Sequence, residues 1–202
     1  MKPLFPTTFY AAAAAAVLLA TPAFAARVHH QTEKQPAPAV ARASSLVEQK
    51  FHRAVQAFDR RDYAAALPVL RELAARDNVK AQTMLGIAYA VGKGVPQDLH
   101  QSAVWMEKAA ERGYAPAQSI LGSAYAEGKG VAQNDQTAFF WLEKAAEQGD
   151  SGAQFDVGVA YRRGLLGLKQ DSGRARFWLE KSAAQGDEDA QRVLQEMNRS
   201  EQ

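Results

Sequence analysis

The stretch AQTMLGIAYAVGKGVPQD, residues 81–98, returns as AQSILGSAYAEGKGVAQN at 117–134 and as AQFDVGVAYRRGLLGLKQD at 153–171. Ala81, Ala117 and Ala153 are 36 residues apart each time, as are Gly86, Gly122 and Gly158, and Tyr89, Tyr125 and Tyr161. A second block keeps the same register. Trp105-Met106-Glu107-Lys108-Ala109-Ala110 precedes Gly113, Trp141-Leu142-Glu143-Lys144-Ala145-Ala146 precedes Gly149, and Trp178-Leu179-Glu180-Lys181-Ser182-Ala183 precedes Gly186. The last interval is 37, because one residue is inserted near Leu165–Gly167. Self-similarity at a fixed period of this length marks a repeat array, in which each unit buries its apolar face against its neighbours.

Each unit reads as two antiparallel helices. Ala81, Leu85 and Tyr89 fall at i, i+4 and i+8, on one stripe of a helix. Gly86 sits beside that stripe, where a missing side chain lets a neighbouring helix approach. Gly92 and Gly94 end the first helix and turn the chain. Asp98 is an N-cap for the second helix, which is expected to bury Trp105 and Ala109 and to end at Gly113. By recurrence, Trp105, Trp141 and Trp178 are all expected in the core. Neither helix can bury its stripe alone, so the units must stack. The predicted fold is all-α: a right-handed α-solenoid of stacked antiparallel helix pairs.

The recurring Ala, Leu-Gly, Tyr, Gly-Lys-Gly-Val, Asp, Trp, Lys-Ala-Ala and Gly resemble Sel-one-like repeats, a branch of the tetratricopeptide-repeat superfamily, here of exported bacterial type. The resemblance divides the chain into repeats at 81–116, 117–152 and 153–189. Residues 46–80 resemble a plain tetratricopeptide unit, in which Ala54, Phe58, Asp62, Tyr63, Ala66 and Leu70 keep the pattern. Pro68 departs from it, because proline inside a helix removes one backbone hydrogen bond. Residues 190–202 start another first helix with Ala190, Gln191 and Leu194 and then turn polar, as a terminal cap should.

The N-terminus reads as an export signal. Lys2 gives the positive start, Phe9 to Ala20 form an apolar run, and Ala23-Phe24-Ala25 is a small-x-small cleavage site behind Pro22. The run is shorter than the roughly 20 residues of a membrane span. Residues 1–25 are therefore expected to be removed, leaving no segment for membrane insertion. Residues 26–45, with Pro36 and Pro38, read as a flexible tether. The expected location is outside the cytoplasm, periplasmic or secreted.

Composition excludes several chemistries. Twenty-four Lys and Arg against 22 Asp and Glu leave the chain nearly neutral, which argues against a nucleic-acid partner. The absence of Cys removes disulfides, thiolate catalysis and Cys-ligated zinc. His29 and His30 lack a third ligand, and His52 and His100 occur singly, so no metal site is expected. Gly149-Asp150-Ser151-Gly152 looks like a serine-protease nucleophile loop. It aligns, however, with the turns Gly113–Pro116 and Gly186–Asp189, and no strand-rich context surrounds it. Gly92-Lys93-Gly94 and Gly128-Lys129-Gly130 lack the spacing and the Ser or Thr of a phosphate loop. Glu107, Glu143 and Glu180 recur beside lysines and read as exposed-face charges. No catalytic residue and no cofactor are expected.

What varies between repeats is the remaining place for function. In the superfamily the first helices line a groove that receives a partner segment, and the resemblance implies the same surface here. Its residues would be Thr83 and Ile87, then Ser119, Ser123 and Glu127, then Phe155, Val159, Arg162 and Arg163. The third set combines an aromatic anchor with guanidinium donors, residue types enriched at binding hot spots. Leu165 and Leu166, at the insertion, read as surplus apolar side chains, with Leu168 taking the place of Val95 and Val131. The resemblance implies an adaptor, scaffold or regulator of the cell envelope that binds a protein or peptide. Two alternatives stand beside it. Some relatives were named for hydrolase activity, although those are Cys-rich, and a self-assembling scaffold also fits the repeat.

Overall fold

The computed structural model describes residues 39–200. The export signal, its cleavage site and most of the tether lie outside the described residues. Among these there are nine helices and no strand: α1 Ala39–Asp59, α2 Tyr63–Ala75, α3 Val79–Val91, α4 Leu99–Glu111, α5 Ala115–Glu127, α6 Asp135–Glu147, α7 Ser151–Arg163, α8 Ser172–Ala184 and α9 Glu188–Ser200. Each helix packs on the one before it and the one after it, which makes the all-helical α-solenoid that the repeat implied. α1 starts at Ala39, so the stretch read as tether through residue 45 already contains seven residues of helix.

Local chemistry sets the helix ends. Asp62, Asn78, Asp98, Asn134, Asp150 and Asp171 each accept a hydrogen bond from the backbone N–H three residues on, closing one orphan donor per helix. Tyr114 occupies the equivalent place before α5 without a side-chain cap, and Pro116 in the first turn of that helix needs no N–H partner. Gly92, Gly128 and Gly164 close the first helices with φ of 68°, 67° and 66°, the left-handed conformation that glycine enters without a Cβ clash. The α1–α2 turn places Arg61 at φ 63°. A left-handed non-glycine residue costs about 1–2 kcal/mol. Arg61→Gly is therefore expected to raise unfolding stability by about 1 kcal/mol, and urea titration of the two proteins checks it.

The core follows the repeat, with one correction. A Cβ built on Gly86, Gly122 or Gly158 would lie 2.7 Å from a side-chain atom of Met106, Leu142 or Leu179 respectively. Those three side chains are at most 1% exposed. The bare glycine lets the second helix of each unit press its large apolar residue against the first. The tryptophans are not in this position. Trp105, Trp141 and Trp178 are each one residue earlier and only half-buried, so the expectation that they form the core is wrong. Two of them reach the preceding unit: Trp105 packs on the cluster of α1–α3, and Trp141 on one that includes Met106 and Ala109 of α4.

The first helices are also more enclosed than a single stripe suggests. Residues 81–88 are buried without interruption, because Ala, Gly and Thr let neighbours close in on every side. Buried glutamines tie the units together. Gln82, Gln118 and Gln154 donate to the carbonyls of Ala74, Ala110 and Ala146 at 3.1, 3.0 and 3.0 Å. Gln148 and Gln185 in turn donate to the side-chain oxygens of Gln118 and Gln154. The first unit has Arg112 where these donors stand. Arg112 pairs with Asp77 instead, and the Gln82 side-chain oxygen has no partner among the described residues.

Candidate interaction surfaces

The structure redistributes the residues assigned to the groove. Thr83 and Ile87 are 0% and 1% exposed and offer no surface. The Thr83 hydroxyl donates to the Val79 carbonyl, and Ile87 joins the Met106–Leu121 cluster. Ser119 and Val159 are buried as well, while Ser123, Glu127 and Phe155 are half-buried. Phe155 belongs to the same apolar cluster as Val193 and Leu194 of α9, so the C-terminal helix shares its packing. Arg162 is held by Glu196 at 3.0 Å, which leaves Arg163 as the exposed guanidinium at the end of α7. Glu127 pairs with Lys129. The aromatic and guanidinium groups that the sequence placed together thus face largely inward or onto α9.

The insertion is absorbed into the core. Leu166 is 9% exposed with φ 55°, and Leu165 and Leu168 pack half-buried in the same cluster. Leu166 stands where the earlier repeats have Gly94 and Gly130, whose φ values are 73° and 76°. The extra Gly167, at φ 74°, restores the chain direction after it. Leu165 and Leu166 are therefore packing residues, not a surplus patch.

Two features were missed in the sequence. The first is Asp156, which stands in register with Met84 and Ile120. It is 0% exposed, and neither carboxyl oxygen has a hydrogen-bond partner among the described residues. The Ser123 hydroxyl, which slightly offsets the effect of burial on Asp156, donates to the Ser119 carbonyl. Burial, reinforced by Asp150, Glu127 and Asp187, pushes the Asp156 carboxyl well above its usual range. Asp150 is also raised, chiefly by burial. The repeat alignment carried the signal: an acid occupies a position that is apolar in the other two units.

The second is an aromatic row on the second helices. Phe140 and Phe177 are 47% and 50% exposed, and they hold the same position in α6 and α8 that Val104 holds in α4. Each makes an edge-to-face pair with the following tryptophan, at 4.9 Å for Phe140–Trp141 and 5.0 Å for Phe177–Trp178. A lysine one turn on covers each pair: Lys144 lies 4.5 Å from the Phe140 ring centre, and Lys181 lies 4.4 Å from that of Phe177. In α4, Lys108 lies 4.3 Å from the ring centre of Trp105. The result is a ridge running across three units, Trp105, then Phe140–Trp141, then Phe177–Trp178. Large aromatic area held rigidly by packing and by a cation is well suited to protein recognition.

Chemistry-bearing motifs are structural. Gly149 turns the chain at φ 93°, Asp150 caps α7, and the Ser151 hydroxyl bonds to that of Ser182. His100 contacts the Gly130 carbonyl at 3.3 Å, linking neighbouring units. Among the described residues no group of three or more His, Asp and Glu side chains is placed to hold a metal ion, and no helix is long and apolar enough to cross a membrane.

Comparison with known proteins agrees with this architecture. The Sel1 repeat model matches residues 79–114, 115–150 and 151–187. A crystal structure of a Sel1 repeat protein from Oxalobacter formigenes is 31% identical, with a TM-score of 0.66, over 69% of this chain and 57% of that one. A protective antigen of uropathogenic Escherichia coli strains displaying an SLR fold is 32% identical, with a TM-score of 0.66, over 73% of this chain and 32% of that one. The chain thus spans a little over half of the first relative and about a third of the second. No curated protein matches it. Sel1 repeats generally mediate protein–protein interaction and are generally non-catalytic. Three consecutive repeats covering residues 79–187, in a chain folded as a helical stack, place this protein in the Sel1 repeat family.

Proposed function

We propose that this chain is a non-catalytic adaptor or regulator of the cell envelope, which binds a protein partner on the aromatic ridge of its second helices. The observation that carries the reading is the in-register exposure of Phe140 and Phe177, each beside a half-buried tryptophan and beneath a lysine. Single exposed apolar residues are ordinary, whereas larger exposed apolar patches mark interaction sites, and the register of the two phenylalanines with the tryptophans beside them favours such a patch. Buried Thr83 and Ile87 and the Arg162–Glu196 pair speak against the first-helix groove as the main surface. Arg163 keeps a secondary contact open at its C-terminal end.

The test is affinity capture from the envelope fraction with wild-type chain and with a Phe140→Ser/Phe177→Ser variant as baits. The variant is expected to lose the partner while its melting temperature stays within a few degrees, because both rings are half-exposed. Retention of the same partner by the variant, together with its loss on Arg163→Glu, would return the site to the groove. A wild-type mass that rises with concentration and captures no other protein would indicate a self-assembling scaffold. The envelope location rests on the signal-like N-terminus. Mass spectrometry of the exported protein is expected to find Ala26 first, and a retained Met1 would refute export with cleavage.

A further inference from the structure

The first and last helices of the described residues present different outer faces. At the C-terminal end, α9 turns Glu188, Asp189, Arg192, Glu196 and Arg199 outward or half-outward, around the buried Ala190 and Met197. At the N-terminal end, α1 and α2 border a groove of about 570 Å³ with Leu46, Ala57, Ala65 and Val69 among its lining residues. Leu46 is 64% exposed. Lys50 and Arg53 also line the groove, and among the described residues no acidic side chain does.

The repeat shows what such a face normally receives. Each later first helix, α3, α5, α7 and α9, packs against the second helix before it, α2, α4, α6 and α8 respectively. α1 has no such predecessor among the described residues. Val69 lies 36 residues before Trp105, in the row from which Trp105 and Trp141 reach the preceding unit. Val69, half-buried on one side against the α1–α3 cluster, and Leu46 therefore sit at a stacking position that no preceding helix fills among the described residues. Lys50 is partly compensated by Glu72, and Arg53 has no ion pair among the described residues.

We infer that the α1–α2 groove docks a single amphipathic helix of a partner protein, apolar on the buried side and acidic along its flank, in the place that a preceding second helix takes in the later units. The helical form follows from the stack, in which the equivalent position is always filled by a helix. The acidic flank follows from Lys50 and Arg53. The site is separate from the aromatic ridge and stands if that ridge proves inert.

A labelled peptide of residues 135–150 is a suitable probe, because its α6 sequence is the second helix that covers α7 in the stack. Asp135, Glu143, Glu147 and Asp150 against Lys144 give it a charge of −3. Fluorescence anisotropy with the chain is expected to show saturable binding, weakened about tenfold or more by Val69→Glu and also by Arg53→Glu. Arg53 is exposed, so its reversal leaves folding intact even if the Val69 variant proves unstable. Arg163→Glu, at the far end of α7, should have no effect, and neither should Phe140→Ser/Phe177→Ser. No saturation by about 1 mM peptide, or binding indifferent to Arg53→Glu, would overturn the assignment. So would tighter binding after deletion of residues 27–38, which would make the chain's own N-terminal segment the occupant. A concentration-dependent mass abolished by Val69→Glu would make a second copy the occupant and equally overturn it.

Discussion

Leu142→Ala is expected to lower unfolding stability by about 2–5 kcal/mol, the range for emptying a close-packed site. The neighbouring Trp141→Ala should cost only about 1–2 kcal/mol. The ranking reverses what ring size alone suggests. Leu142 is 0% exposed and would touch any Cβ added at Gly122, so its removal leaves a void that neither helix can close without losing backbone contacts. Trp141 keeps part of its ring in solvent, against Phe140 and Lys144. Denaturant titration of both variants decides the matter. A larger loss for Trp141→Ala would mean that the tryptophan, and not the leucine, plugs the repeat.

Asp156→Leu is expected to raise stability at neutral pH by roughly 2–4 kcal/mol, from removing an unpartnered buried polar group and adding apolar burial. Met84 and Ile120 already fill the same position in the other units, so the seam has a precedent for such a side chain. The pH dependence carries a definite sign. The Asp156 carboxyl is raised by burial and by Asp150, Glu127 and Asp187. Its contribution is therefore fully present below the unfolded carboxylate value of about 3.9 and is lost as pH rises through the folded value. Asp150 and Glu143 are raised as well and act in the same direction. The comparison that isolates Asp156 is with Asp156→Asn, which keeps the shape and removes the proton equilibrium. From about pH 4 upward the wild type should lose stability relative to the Asn variant until the folded carboxyl is ionised. Parallel pH curves for the two proteins would show that Asp156 finds a compensating partner.

The helices and their order were legible because they depend on spacing. Capping Asp and Asn, terminal glycines and a 36-residue period act locally, and a single misread residue does not disturb them. The helix rotation was harder. The tryptophan is invariant while the next position alternates between Met106 and the leucines Leu142 and Leu179, and recurrence does not say which of two adjacent side chains points inward. The invariant glycine held the answer: a bare position on the first helix demands a large apolar partner on the second, and Met106, Leu142 and Leu179 meet that need. The groove was misread for a related reason. Small residues such as Thr83 and Ser119 look like an open surface in a sequence, whereas in a tight stack they are what allows the helices to close over them. Arg162 looked free because its partner Glu196 lies 34 residues away on α9, beyond the reach of any repeat comparison. The exposed Phe140 and Phe177 went unnoticed because the tryptophans beside them drew the assignment inward.

The measurement that bears most directly on this account is site-specific photocrosslinking in living cells, with a photoreactive phenylalanine at position 140, 177 or 195. Positions 140 and 177 should give the same covalent adduct with one envelope protein, and position 195, on the polar terminal helix, should give none. Adducts absent from 140 and 177, or equally strong at 195, would contradict an interaction module that works through its aromatic ridge.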